Sequence, residues 1–117
     1  MTVRADAMAY VHRAVCGALG TAQCYPMVQP DPSLLPAVVY YAVGQDTMTP
    51  LAGPYQTATA IRVEARDKTY AGAVAVSAAV VMALRKGGRL SQLLSLVDDY
   101  DEDLNIYRRI RSVMVRH

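Results

Sequence analysis

The longest apolar segment of the chain is TYAGAVAVSAAVVMAL, residues 69–84, which contains no charged side chain. Asp67 or Thr69 can cap the start of a helix here, and Gly87 with Gly88 can end it. The segment predicts a helix of a soluble domain, because it is flanked by charge and too short for a comfortable membrane span. At about 100° per residue, the face that we expect to lie on a sheet contains Tyr70, Ala73, Val74, Ser77, Val81 and Leu84.

The opposite face of this helix is also apolar. It contains small residues flanked by two larger ones, namely Gly72, Ala75, Ala79 and Ala83 with Val76 and Met82. A row of small side chains lets another element approach the helix backbone closely. We therefore expect this face to be covered, either by the first helix of the same chain or by a neighbouring subunit.

Two further segments precede the first predicted strand. Residues 3–19 place apolar side chains on one side of a helix that Thr2 can cap and Gly20 can end. The segment CYPMVQPDPSLLP, residues 24–36, contains four prolines, which remove backbone donors and favour extended geometry at the preceding residues. It predicts an ordered, extended connector.

The middle of the chain predicts two strands joined by a loop. Residues 37–43, AVVYYAV, are β-branched and aromatic, which is typical of a strand buried on both faces. Residues 44–54 hold two glycines and two prolines and predict a loop. Residues 55–66 alternate, so that Ile61 and Val63 point one way and charged residues such as Glu64 point to a solvated face.

The end of the chain predicts a hairpin. Residues 90–97 and 104–115 read as strands joined across the acidic stretch DDYDED, residues 98–103. The resulting order is helix, strand, strand, helix, strand, strand, without the alternation that parallel sheets require. We therefore predict a single α+β domain over residues 1–117, with a mainly antiparallel four-stranded sheet and two helices packed on one face.

Composition excludes several classes of protein. The 12 basic residues barely exceed the 10 acidic ones, so no whole-molecule field would attract nucleic acid or an anionic membrane. Cys16 and Cys24 do not make a disulfide framework in a chain of this size, and we expect reduced thiols in a cytosolic setting. The N-terminal segment has charged residues where a signal peptide would be apolar.

The sequence contains no clear catalytic or metal motif. His12 and Cys16 have helical i, i+4 spacing and could form a thiolate–imidazole pair, but a packing role for the cysteine is favoured. The acidic stretch 98–103 lacks the glycine and terminal glutamate of an EF-hand loop, and the Cys and His content does not predict a usual zinc site. We expect a non-enzymatic protein without cofactor or metal.

Acidic and basic residues are close together in the predicted hairpin. The last strand is basic, and it follows the acidic stretch directly. The basic residues can form a solvated sheet face, meet the acidic tip of a neighbouring subunit, or face DNA. Together with the apolar helix face, they define a predicted subunit interface of Gly72, Ala75, Val76, Ala79, Ala83, Asp99, Asp101, Arg108 and Arg109.

The order of motifs resembles the tail-completion or tail-terminator family of long-tailed phages and gene transfer agents. The resemblance is carried by CYPMVQPDPSLLPAVVYYAVG and LAGPYQTATAIRVEARDKTYAGAVAVSAAVVMAL, that is, a Tyr-Pro, a Leu-Pro before an apolar strand, a glycine-containing loop, and a Thr-Tyr that opens an alanine-rich helix. It covers roughly residues 1–100. Gly72, where the family commonly has an acidic residue, departs from the pattern.

The resemblance implies a structural subunit of a virion tail or neck, assembled in the host cytoplasm. Such a subunit forms a ring, usually six-fold, on the head-proximal end of the tail tube, stops tube growth and contacts the head–tail connector, while DNA passes through the ring without sequence-specific binding. The implied contact with the tube or a neighbour lies in the loop 47–54 and just after it, at Thr47, Met48, Leu51 and Tyr55. A neck adaptor between portal and tail is the alternative function, and neither role involves a membrane.

Overall fold

The computed structural model describes residues 8–17, 23–32, 34–43, 47–48 and 57–116. Over these residues the chain forms two helices and six strands. Helix α1 comprises residues 8–17, with a π-helical turn at His12–Cys16. The other elements are β1 (Cys24–Pro26), β2 (Ala37–Ala42), β3 (Thr47–Met48), β4 (Thr57–Asp67), α2 (Tyr70–Gly87), β5 (Leu90–Asp101) and β6 (Ile106–Arg116).

The strands form one mixed sheet in the order β1-β2-β4-β6-β5, and the short β3 pairs with the start of β4. All pairs are antiparallel except β1 with β2. The α+β class and the four predicted strands are confirmed as β2, β4, β5 and β6. The prediction of four strands was incomplete, because the proline-rich connector contributes β1 and the predicted loop of residues 44–54 contributes β3. Pro26 is tolerated in β1 because β1 is at the edge of the sheet among the described residues, so its missing backbone N–H interrupts no ladder between described strands.

The hydrophobic core lies between the helices and one face of the sheet. Ile61 and Val63 on β4 point into it, as their alternation predicted, and are 0% and 3% exposed. Both helices contribute to the same cluster, which confirms that they pack on one face. Its members are Tyr10, Val11, Val15, Cys24, Val38, Tyr40, Ile61, Val63, Val80, Leu84, Val113 and Val115.

Helix α2 begins and ends as the sequence predicts. The Thr69 side chain accepts a hydrogen bond from the Gly72 backbone N–H at 3.0 Å, and Gly88 adopts the left-handed conformation at φ 80° that ends the helix. Asp67, the alternative cap, instead accepts a hydrogen bond from the Lys68 backbone N–H at 2.7 Å. The helix boundaries are therefore set by local chemistry.

The buried face of α2 is rotated relative to the prediction. Its buried residues are Ala73, Ser77, Val80, Ala83 and Leu84. Tyr70, predicted to face the sheet, is 48% exposed, whereas Ala83, predicted on the outer face, is only 8% exposed. The physical reason is helix α1, which packs beside the end of α2, where the Tyr10 hydroxyl donates a hydrogen bond to the Leu84 carbonyl at 3.2 Å.

The close contact between Gly87 of α2 and Tyr10 of α1 can be tested by mutation. A Cβ atom at Gly87 would lie 2.0 Å from the Tyr10 hydroxyl oxygen, so we expect Gly87→Ala to lower the free energy of unfolding by about 1–3 kcal/mol. Urea denaturation of the single variant and of Gly87→Ala combined with Tyr10→Phe measures the coupling. Removing the hydroxyl should reduce the cost of the alanine. Equal costs in both backgrounds would show that this contact does not limit the space at Gly87.

Candidate subunit-contact surface

The outer face of α2 presents small and apolar side chains to solvent. Ala75 and Ala79 are exposed, and Met82, one turn further along, is 64% exposed. Val76 is half-buried because it packs against the core cluster, and Gly72 is half-buried beside the Asp67 carboxylate. Of the five helix residues predicted for the interface, Ala75 and Ala79 are therefore the most accessible.

An open groove separates α2 from the β5–β6 hairpin. Helix α2 packs mainly on β4 and β6 and makes few contacts with β5, so the hairpin extends beyond the helix. The groove has a volume of about 320 Å³. Its apolar wall includes Val74, Val81, Met82, Leu93 and Leu96, and Arg109 and Arg111 form part of its floor. Val74 and Val81 were predicted to lie on the sheet and are instead half-buried at this groove.

Strand β5 forms one edge of the sheet and is mostly exposed. Among the described residues, β6 is its only strand partner. Leu94, Leu96, Val97 and Tyr100 are between 42% and 52% exposed. An edge strand with apolar side chains is a surface that folded proteins usually cover or pair. The outer face of α2 and the groove share Met82, and together with Leu96 of β5, which lines the groove, they are called here the α2–β5 surface.

The charged residues of the hairpin pair with each other across the two strands. Asp99 lies directly opposite Arg108 and forms an ion pair with it, and Asp98 lies opposite Arg109 at an oxygen–nitrogen distance of 3.2 Å. The hydrogen bond from Arg108 lowers the pKa of the Asp99 carboxyl below its ordinary value. These acids belong to β5, which extends to Asp101 and not only to Val97 as predicted, because their charges are partnered by β6.

A buried carboxylate lies next to this hairpin on the sheet face that carries Arg108. Glu64 is 7% exposed, although the alternation of β4 predicted a solvated position. Arg66 and Arg108 approach its carboxylate at 3.6 and 3.8 Å and cover it with their side chains. The two arginines thus neutralise and shield Glu64, which explains why an acidic side chain is buried in the central strand.

Tyrosines connect the hairpin with the start of α2. The Tyr70 hydroxyl donates a hydrogen bond to Asp98 at 2.9 Å, and this bond, together with the negative charge of Asp98, raises the pKa of Tyr70. The Tyr70 ring meets Tyr107 edge-on, and Tyr107 also contacts Tyr100. This cluster therefore connects the hairpin with the first turn of the helix.

Two of the predicted contact residues in the loop are described, and only as backbone. Thr47 and Met48 form strand β3, which pairs with Ala58 and Thr57 of β4. Leu51 and Tyr55 lie outside the described residues. Asp101, another predicted interface residue, has a structural role: its carboxylate accepts backbone hydrogen bonds from Asp103 and Leu104 and closes the hairpin turn.

Cys16 and Cys24 form a disulfide between α1 and β1, with their Cα atoms 5.6 Å apart. The prediction of reduced thiols was therefore wrong for this structure. The disulfide depends on the parallel pairing of β1 with β2, which brings Cys24 under the helix. The spacing of the two cysteines along the sequence therefore does not predict it. The disulfide also leaves Cys16 without the free thiol that a thiolate–imidazole pair would need.

Helix α2 is long and apolar enough to cross a membrane by length and composition alone. This criterion is weak evidence, because core helices of soluble proteins also meet it. In the single chain 28% of this apolar helix is buried, on the face that packs on β4 and β6.

These features define a mixed α+β sheet protein with exposed apolar side chains along one edge. No protein-family model matches the sequence, and no curated protein matches it. Solved structures do share the fold, and one of them is a chain of the "Virion of native gene transfer agent (GTA) particle". That chain superimposes with a TM-score of 0.62 and 20% sequence identity, over 99% of this chain and 98% of its own length. The similarity shows a common fold over the whole length.

Proposed function

We propose that this protein is a structural subunit of a phage-like particle and acts there as a tail terminator. In this role, copies form a ring, six-fold by the family resemblance, on the head-proximal end of the tail tube, stop its growth and join it to the neck. The observation that carries the proposal is the match over nearly the full length of both chains to a component of a gene transfer agent virion. The role requires contact surfaces and no catalytic group.

The α2–β5 surface supports assembly into a ring. Ala75, Ala79 and Met82 on the helix and Leu96 on the strand lie exposed in a single chain. Covering such side chains contributes about 25 cal/mol per Å² of apolar area removed from water. A ring needs a heterologous contact, in which this surface meets a different surface of the next copy.

Charged groups at the hairpin would lie at the rim of this contact. Asp99 and Arg108 pair within one chain, but their side chains remain 42% and 26% exposed. Arg109 is 21% exposed beside Asp98. Because their charges are already partnered, we assign them to orientation of the neighbour, with Asp101 holding the turn, and assign most of the contact energy to the apolar residues.

The remaining contacts follow the family resemblance. The segment with Thr47, Met48, Leu51 and Tyr55 is proposed to touch the tube or a neighbouring subunit. The opposite side of the ring would contact the connector below the capsid, and DNA would pass through the central channel without sequence readout.

The proposal is tested with tail tubes assembled from the tube subunit of the same particle. Purified protein labelled with gold is added to preformed tubes, and electron microscopy records its position. We expect label at one end only, and no further elongation of that end when more tube subunit is added. Tube subunit alone serves as the control for growth. Label on isolated connectors but not on tubes would support the neck adaptor instead, and binding to neither would contradict both roles.

A further inference from the structure

The junction of α1 with β1 brings together three side chains that can ligate a metal ion. The donor atoms of His12, Cys16 and Cys24 all lie within 4.8 Å of one another. His12 Nδ1 is 3.4 Å from the Cys16 sulfur, and Cys24 is 7% exposed on the inner side of the junction. Imidazole nitrogen and two cysteine sulfurs are a ligand combination typical of zinc sites.

The local backbone is unusual at the same residues. The π-helical turn of α1 comprises His12–Cys16, so it begins at one ligand and ends at the next. Such turns are rare and often occur at functional sites. The third ligand, Cys24, is held by the pairing of β1 with β2, in which it lies opposite Val38. The π-helical turn of α1 and the strand β1 therefore bring the three ligands to one point.

A neighbouring hydroxyl keeps the histidine in position. His12 Nδ1 forms a hydrogen bond with the Tyr40 hydroxyl, which holds the ring over the junction. The same ring nitrogen lies beside the Cys16 sulfur, so it is the His12 atom that can reach an ion held by the cysteines. His12 itself is exposed, which leaves an approach to the cluster from solvent.

We propose that the reduced form of this junction binds one thiophilic divalent cation, Zn²⁺ in particular, through His12, Cys16 and Cys24. Water fills the fourth position on the solvent side. The disulfide and the metal are then two alternative links between α1 and β1. The site is independent of the proposed tail function.

An external dithiol can convert the disulfide form of the junction into the reduced form that binds the cation. The dithiol transfers two electrons and two protons to the Cys16–Cys24 disulfide and becomes a disulfide itself. Binding of the cation to the two cysteines then releases those two protons to solvent, and the cation replaces the Tyr40 hydrogen bond at His12 Nδ1.

Cobalt is a suitable probe because thiolate coordination produces a strong charge-transfer absorption. The full-length chain is reduced with a dithiol, freed of reductant under nitrogen and titrated with Co²⁺, and the oxidised chain is titrated in parallel. We expect one Co²⁺ per reduced chain with the thiolate band, its displacement by one equivalent of Zn²⁺, and no band with the oxidised chain. Absence of the band from the reduced chain would overturn the proposal.

Amino-acid substitutions test whether the cation is bound by the side chains of His12 and Cys24. Cys24→Ser should abolish the two-thiolate spectrum, and His12→Gln should weaken Zn²⁺ binding by at least about tenfold. Asp103→Asn, in the acidic hairpin turn, is the matched control and should bind as the wild type does. Thermal unfolding provides a second measurement, since Zn²⁺ should raise the midpoint of the reduced wild type but not of Cys24→Ser. Unchanged affinity in His12→Gln would contradict the three-ligand site.

Discussion

Replacing Ala79 with glutamate is expected to abolish ring formation while the subunit stays folded. Ala79 lies exposed on the outer face of α2, and glutamate is a good helix former, so we expect the free energy of unfolding to change by no more than about 0.5 kcal/mol. In an assembled ring the new carboxylate would be buried without a partner, at a cost of several kcal/mol at each contact. Because each subunit of the ring makes the same contact, this cost in free energy is added once for every contact.

Light scattering and electron microscopy of tubes mixed with the variant measure this result. Lys68→Glu is the control, since Lys68 is also exposed but lies before α2, outside the α2–β5 surface. We expect the control to cap tubes as the wild type does. Rings of normal size with Ala79→Glu would exclude the outer face of α2 from the contact and leave the edge of β5 as the candidate.

Leu84→Ala is expected to lower the free energy of unfolding by about 2–5 kcal/mol. Leu84 is 0% exposed and belongs to the core cluster between both helices and the sheet. The alanine would leave a cavity that the surrounding strands can only partly fill, and the loss is a large fraction of the total stability of a small domain.

The matched control for this prediction is Met82→Ala on the same helix. Met82 is 64% exposed, so the unfolding free energy should change by no more than about 0.5 kcal/mol. Urea denaturation monitored by circular dichroism compares the two variants. A similar loss in both would show that Met82 is covered in the isolated chain, and this would also argue against the α2–β5 surface.

Ion pairs within the β5–β6 hairpin change the interpretation of its charged residues. From the sequence, the acidic stretch and the basic last strand were candidates for contact between subunits. In the fold, Asp98 and Asp99 lie directly opposite Arg109 and Arg108, so these four charges neutralise each other within one chain. Exposed ion pairs of this kind contribute little to stability, and their main effect is to hold the register of the hairpin.

The proposed contact surface was predictable in part. The small residues Ala75 and Ala79 were identified from helical periodicity, and both are exposed. Leu96 was recognised only as a strand residue, because the sequence does not reveal that β5 is the edge of the sheet. Strand order depends on which strands pair across long separations, and local patterns do not encode it.

Local sequence determined the elements that depend on neighbouring residues. The Thr69 cap, the left-handed Gly88 and the alternation of Ile61 and Val63 act over a few residues, and each occurs where the pattern predicts. The α+β class followed from the order of these elements, because short connections restrict how they can pack.

The tertiary structure decided the features that join distant parts of the chain. The rotation of α2 that buries Ala83 depends on α1, the burial of Glu64 depends on Arg108, and the disulfide from Cys16 depends on the pairing of β1 with β2. In each case, the environment of a side chain is set by residues brought close only when the sheet and helices pack together. Patterns along the chain report which residues favour burial, but only packing determines what surrounds them.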